Sequence, residues 1–418
     1  MISRLKKISL IEFTLLISIL LIYFVSLIII NNDIFATSYV PYYNYLAQAI
    51  SRGSLFFLDV PQTNYDLTQF AGNYTMYWGF TPVLFILPFY YAYGVAASDV
   101  FYTFIAGTIN IFLFYLLLKE TVKLFDLKIK SIGLFAILAG FALVSPNFYL
   151  SLGGRVWHTN QIISATYLLL FMLFTIKFVG SKYKPSFLLL SILFFNLAWL
   201  GRNSLILYAL LYVYVIWKMR KDKAQNLKHV LLTIIISIII GFELFFVYNY
   251  LRFGDIFETG LSMQLSDPRF LEMLRDKNYF SAVYWKENFE HYFLNHASLS
   301  LKYPYINEDP MGNSIFSVYP LTLFFFFLFQ KTIFKIKNNA MFIGIGVSII
   351  LLIILMLMFF VGTGWTQFGS RYFFDAIPLL FLLLVFVIDK IPSVAVLVFM
   401  LYGFLINYYG AVNFFDKY

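Results

Sequence analysis

Three carboxylates, Asp33, Asp59 and Asp66, fall in one polar, aromatic-rich stretch, Asn31 to about Gly94, of a chain that is otherwise strongly apolar. A carboxylate partly withdrawn from water can take the proton of an attacking hydroxyl. Asp66, in YDLTQFAGNYTMYWGFTP, is flanked by aromatic rings suited to stacking on sugar faces; Asp59 lies in FFLDVP, and Asp33 where the first apolar run emerges. Any one of them taken alone reads as a solvated loop acid. Four arginines stand at or near the ends of apolar runs: Arg155 in GGRVWH, Arg202 in LGRNS, Arg252 in YNYLRFG and Arg371 in FGSRYFFD. Charges at membrane depth are costly and mark a function or a pairing, and guanidinium forks suit phosphate. As a set they could hold an anionic lipid headgroup whose tail stays in the bilayer. Taken singly, each could instead snorkel to lipid phosphates or pair with an acid, Arg371 with Asp375 one turn on being the obvious pair. His158, beside Trp157, could donate to the same phosphate or move a proton, or simply pack.

The elements that carry these residues are set by composition. Hydrophobic residues make up 61% of the 418 and charged ones 12%, with a mean hydropathy of +0.80. A soluble domain has roughly half apolar and one quarter charged residues, so this is an integral membrane protein. Unbroken apolar runs exclude a β-barrel, whose strands alternate lipid-facing and lumen-facing residues. With no cysteine, a disulfide, a thiolate metal site and a cysteine nucleophile are all excluded.

Apolar runs predict spans near 9–30, 100–118, 131–149, 160–177, 185–200, 204–218, 229–250, 315–330, 340–362, 372–388 and 392–410. The stretch from Phe80 to Tyr93, bracketed by Pro82, Pro88 and Gly94, is too short and reads as a re-entrant or interfacial segment. With it left uncrossed, the basic clusters all fall on one side: Arg4, Lys6 and Lys7; Lys119 to Lys130; Lys177, Lys182 and Lys184; Lys218 to Lys228; Lys331, Lys335 and Lys337; and Lys390. That side is cytoplasmic by the positive-inside rule. The net charge of +9 is therefore mostly a topology signal, and nucleic-acid binding is excluded. Most acids fall on the outer side, which is where chemistry is expected.

The chain thus reads as an all-α polytopic membrane protein of about eleven transmembrane helices, a single domain over 1–418. Its first outer loop covers 31–99 and carries surface helices; an outer capping loop covers 251–314. Pro41 to Gly53 predicts an amphipathic surface helix, with Asn44, Gln48, Ser51 and Arg52 on one face. In the capping loop Glu287 and His291 have a spacing a metal could use, although a solvated helix face explains it as well. Asn73, Tyr74 and Thr75 form a glycosylation sequon. No internal repeat is evident, which counts against an inverted-repeat transporter.

This plan resembles the GT-C superfamily of membrane glycosyltransferases, which includes protein O-mannosyltransferases and aminoarabinose transferases. YNYLAQAISRGSLFFLD is similar to the family's first surface helix, WGFTPVLFILPFYYAYG to its proline-headed surface segment, and YNYLRFGDIFETG and GWTQFGSRYFFDAIPLL to stretches of its mannosyltransferases. The resemblance implies an inverting transfer of a monosaccharide, hexosyl or mannosyl, from a polyprenyl-phosphate donor to a hydroxyl of a glycan, lipid or protein. It implies an acid as base and arginines on the leaving phosphate. A divalent metal is left open. It further implies an active site on the outer face of a prokaryotic plasma membrane, with the N-terminus cytoplasmic. Many members carry an acid just before the surface helix, near what is here Ser38 or Tyr39, and this chain has none. Either Asp33 reaches in or the base is Asp66 or Asp59, with Asp66 favoured. A lipid-linked-sugar transporter or flippase, and a glycan ligase or polymerase, are the alternatives.

Overall fold

The structure is a computed structural model describing residues 10–417 apart from 278, 297, 300, 303–305, 308, 310, 331–336, 365 and 366. Of the basic clusters, Arg4, Lys6, Lys7, Lys331 and Lys335 lie outside the described residues. Among the described residues six helices are long and apolar enough to cross a membrane: Glu12–Ile30, Asp99–Leu124, Val156–Gly180, Leu227–Phe253, Asn339–Phe359 and Ser393–Phe415. The count of eleven is therefore met in full-length form by six. The other five expected spans fold as shorter or broken pieces. They are Ser131–Leu143, Pro185–Gly201, the 3₁₀ turn Asn203–Leu210 running into Leu211–Lys221, the 3₁₀ helix Pro320–Phe329, and the interrupted run from Arg371 to Lys390.

In chain order, α1 is Leu10–Ile30, α2 Tyr42–Ser51, α3 Pro82–Tyr93, α4 Asp99–Leu124, α5 Ser131–Leu143, α6 Pro146–Leu150, α7 Val156–Gly180, α8 Pro185–Gly201, α9 Leu211–Lys221 and α10 Leu227–Phe253. Proline at its first position starts α3, and Gly94 at φ +63° ends it. At a rise of about 1.5 Å per residue its 12 residues extend roughly 18 Å, well short of a bilayer core of about 30 Å.

The helix α7 is buried on nearly every side and packs against α4 and α8. With no water in a bilayer interior, polar groups there must pair with one another. Asn147 Nδ2 donates to Tyr23 Oη (3.0 Å) and Gly107 O (3.2 Å), Asn110 Nδ2 to Asn147 Oδ1 (3.1 Å), and Thr166 Oγ1 to Asn110 Oδ1 (2.7 Å). This chain ties α1, α4, α6 and α7 together. By contrast α10 exposes Leu232, Ile236, Ile239, Ile240 and Val247 along one face, as a lipid-facing helix does.

α1 and α4 run in opposite directions. Asn31, just beyond α1, donates to Leu152 O beyond α6, and Ser98, capping α4, donates to Ile34 O. At the opposite ends Lys119 meets Glu12 at 3.4 Å. Asp33, Asp59, Asp66 and all four arginines consequently gather at one end of the bundle.

Two departures concern the first loop. The polar face of α2 is not solvated but turned into the protein: Asn44 Nδ2 donates to Val95 O (3.0 Å) and Ala97 O (2.7 Å), and Gln48 Nε2 donates to Asp59 Oδ2 (2.7 Å). Only Ser51 and Arg52 of that face are exposed. The loop also holds a β-hairpin, β1 Thr68–Phe70 with β2 Asn73–Thr75, turned by Ala71 and Gly72 at φ +48° and +81°. Positive φ at both turn residues is the twist-matched geometry for a two-residue hairpin, and glycine accepts it without strain.

Candidate active site

Asp66 is delivered by that hairpin and by the capping loop together. Asp66 N donates to Leu265 O (2.6 Å), Leu265 N to Leu67 O (2.7 Å), and Thr68 Oγ1 to Gly260 O (2.9 Å). The segment around residues 260–265 therefore lies along the start of β1 like a third strand. Between them Asp66 takes φ +65°, a left-handed conformation that Asp and Asn tolerate better than other side chains. It is 8% exposed.

Its carboxylate accepts three hydrogen bonds. Oδ1 takes Gln264 Nε2 (2.6 Å) and Ser266 Oγ (3.0 Å), while Oδ2 takes only Trp157 Nε1 (3.0 Å). One lone pair of Oδ2 is thus left for a further proton. Burial pushes the Asp66 carboxyl above its usual range. The donors Ser266, Gln264 and Trp157, and the charge of Arg371, act against that rise without cancelling it.

Trp157 joins Asp66 to a ladder of alternating cations and rings. Its face lies 5.6 Å from the Arg371 guanidinium, which also lies 5.3 Å from the Tyr372 ring; Arg202 stands 5.3 Å from the same Tyr372 ring. On the other side Trp157 meets Tyr39 at 6.4 Å, and Tyr39 lies 5.3 Å from Arg155. Asp99 fixes the start of that arm. It accepts from Ser38 N (2.6 Å) and Ser38 Oγ (2.5 Å), holding the residue before Tyr39.

The four arginines differ in what holds them. Arg202 Nε pairs with Asp375 Oδ1 at 2.5 Å, and Ser204 Oγ donates to Oδ2 of the same acid. The expected Arg371–Asp375 pair is therefore replaced by Arg202–Asp375. Residues 371–375 form a 3₁₀ helix, in which positions four apart do not share a face. Arg252 is occupied within the protein: Nη1 donates to Met76 O (2.8 Å), Nη2 to Asn249 Oδ1 (3.0 Å), and its plane stacks 3.9 Å from Tyr248. It staples the end of α10 to the first loop.

Arg155 and Arg371, 8% and 7% exposed, make no ion pair among the described residues. Arg371 gives one donor to Gly364 O, and its buried Nε has no partner among the described residues. Burial, chiefly, draws Arg155 below the usual guanidinium value, with Arg371 acting in the same sense. An arriving anion would relieve both effects.

His158 is buried, its Nδ1–H donating to Gly153 O (2.7 Å), packed among Tyr149, Phe414 and Phe415. It shapes the turn before Arg155. Asp59 is exposed and accepts from Gln48. Asp33 is exposed and turns back to accept Phe35 N at 2.8 Å, so it does not reach toward Ser38. Glu287 and His291 sit in different helical segments, Trp285–Phe289 and the π-helix Glu290–Leu294. Among the described residues no three His, Asp or Glu side chains converge as a metal site. In the sequon Asn73 is exposed at the hairpin turn, but Thr75 is buried with its hydroxyl on Leu55 O (3.1 Å), out of reach in the folded state.

Asp375, Trp157, Gln264, Ser266, Tyr372 and Asp99 were not singled out as site residues from sequence. Their partners lie 61 to 200 residues away along the chain, and no local spacing marks such pairs. Asp375→Ala is expected to leave the Arg202 charge buried and unpaired, destabilising the fold by roughly 3–5 kcal/mol. Joint replacement by Arg202→Met and Asp375→Leu should recover most of that loss, as read from thermal unfolding in detergent.

Solved structures share this overall fold. An oligosaccharyltransferase of Archaeoglobus fulgidus in the apo form superposes over 96% of this chain with a TM-score of 0.54 at 12% identity. The chain has the GT-C fold. ArnT of Cupriavidus metallidurans, solved bound to undecaprenyl phosphate, aligns over 91% of this chain with a TM-score of 0.46 at 13% identity. The chain spans 56% and 60% of the lengths of these two GT-C proteins, respectively. No protein-family model and no curated protein matches it.

Proposed function

We propose that the protein is an inverting glycosyltransferase, moving a hexose such as mannose from a polyprenyl-phosphate donor to a hydroxyl of a glycan, lipid or protein. Its place would be the plasma membrane of a prokaryote, N-terminus inside and active site outside. The observation that carries this reading is the pair of arginines that have no carboxylate partner among the described residues, Arg155 and Arg371, set on either side of Asp66 through Tyr39 and Trp157.

In the reaction the acceptor oxygen bonds to the anomeric carbon while Asp66 Oδ2 takes its proton. The bond from that carbon to the phosphate oxygen breaks, and its electron pair stays on the phosphate. The phosphate passes from one negative charge to two, and the guanidiniums stabilise the charge that develops. A single buried base suits one displacement with inversion. The transport alternative calls for acids or helix breaks near the bilayer midplane; Glu243 is exposed on the surface of α10, and Asp375, in the interrupted run from Arg371 to Lys390, is taken by Arg202.

A base with a raised pKa fails as pH falls through that value, so the acid limb of kcat/KM should lie above the ordinary carboxylate range. Gln264→Leu or Ser266→Ala removes a donor that favours the anion. Either change should move the limb further upward. A limb that stays in place in both variants would remove Asp66 as the titrating group.

A further inference from the structure

Arg155 is held unlike the other arginines of the site. Arg202 has a carboxylate, Arg252 has a carbonyl and an amide, and Arg371 has the Gly364 carbonyl. The Arg155 side chain makes no ion pair among the described residues and is surrounded by three rings, at 5.3 Å from Tyr39, 5.3 Å from Phe414 and 5.2 Å from Phe415. A ring face attracts a cation through its quadrupole but takes none of its in-plane N–H groups. A carboxylate would both neutralise the charge and occupy those donors. An aromatic cage therefore orients a guanidinium while leaving it charged and able to donate.

The backbone is shaped for this. A Cβ at Gly153 would lie 2.1 Å from the Phe415 ring, so Phe415 can seat against the turn before Arg155 only because residue 153 is glycine. His158 holds the Gly153 carbonyl and meets Phe415 edge-on at 5.9 Å. Phe414 and Phe415 belong to the helix Ser393–Lys417, some 260 residues from Arg155 along the chain, and no motif connects them.

Resting on the donor-phosphate reading above, we infer that Phe414 and Phe415 are positioning residues for the donor's phosphate, acting through Arg155. The test uses the full chain in detergent and undecaprenyl phosphate as probe, with Kd read by thermophoresis. The double variant Phe414→Leu with Phe415→Leu should bind on the order of tenfold more weakly, and Phe415→Trp within about twofold of the unaltered chain. Progressive fluorination of the Phe415 ring weakens its quadrupole with little change of shape, so Kd should rise with each fluorine; a purely structural ring would not respond. Should the leucine variant aggregate, the fluorinated series decides. Loss of binding in Arg155→Gln with no response to fluorination would overturn the cage alone. Absence of saturable binding by the unaltered chain would overturn the donor-phosphate reading and the cage with it.

Discussion

Asp66→Asn is expected to slow glycosyl transfer by about 10³-fold, the scale of a general base, while donor binding stays close to that of the unaltered chain. Asparagine keeps an oxygen for Gln264 and Ser266 to donate to. Its amide then faces the Trp157 N–H, a mismatch of two donors costing about 1–3 kcal/mol, too little to unfold a bundle of this size. Arg155 and Arg371 remain in place to hold the phosphate. Comparing single-turnover transfer with the Kd for undecaprenyl phosphate checks both halves. Transfer at the original rate would exclude Asp66 as base, and joint loss of transfer and binding would make its role structural.

Arg371→Gln should lower kcat by roughly 10²–10³-fold, because it removes a cation that faces charge appearing only as the sugar–phosphate bond breaks. Donor KM should rise as well, since the ground-state phosphate already carries one charge. Lysine should restore little. Arg371 holds Gly364 O with one nitrogen while a second, Nε, is buried without a partner among the described residues, and a single ammonium cannot do both. Steady-state kinetics on Arg371→Gln and Arg371→Lys would show this, and an unchanged kcat in either would place Arg371 outside the transition state.

Much of the scaffold was legible because it depends on local composition. Apolar run length marked six helices long enough to cross but overcounted the spans, and the proline-bounded stretch from Phe80 to Tyr93 folds as a helix too short to cross. The setting of Asp66 was legible in part: its aromatic neighbours were visible, but its donors Gln264 and Ser266 come from a loop about 200 residues later. Periodicity misled where the helix type changed. An α-helical repeat pairs Arg371 with Asp375, yet the local 3₁₀ winding turns them apart and Arg202 takes the acid. An amphipathic pattern likewise says that one face of α2 is polar without saying what it meets. Here it meets the carbonyls of Val95 and Ala97 rather than water. The acid missing near Ser38 has a counterpart in space: Asp99, at the first residue of α4, binds Ser38 through both carboxylate oxygens.

The most direct test of glycosyl transfer at Asp66 is to incubate the purified chain in detergent with radiolabelled polyprenyl-phosphate hexose donors and follow sugar leaving the lipid. The expected result is turnover by the unaltered chain, free polyprenyl phosphate as coproduct, and none above background for Asp66→Asn. Equal turnover by the two proteins, or none by the unaltered chain across a range of sugars and acceptors, would contradict it.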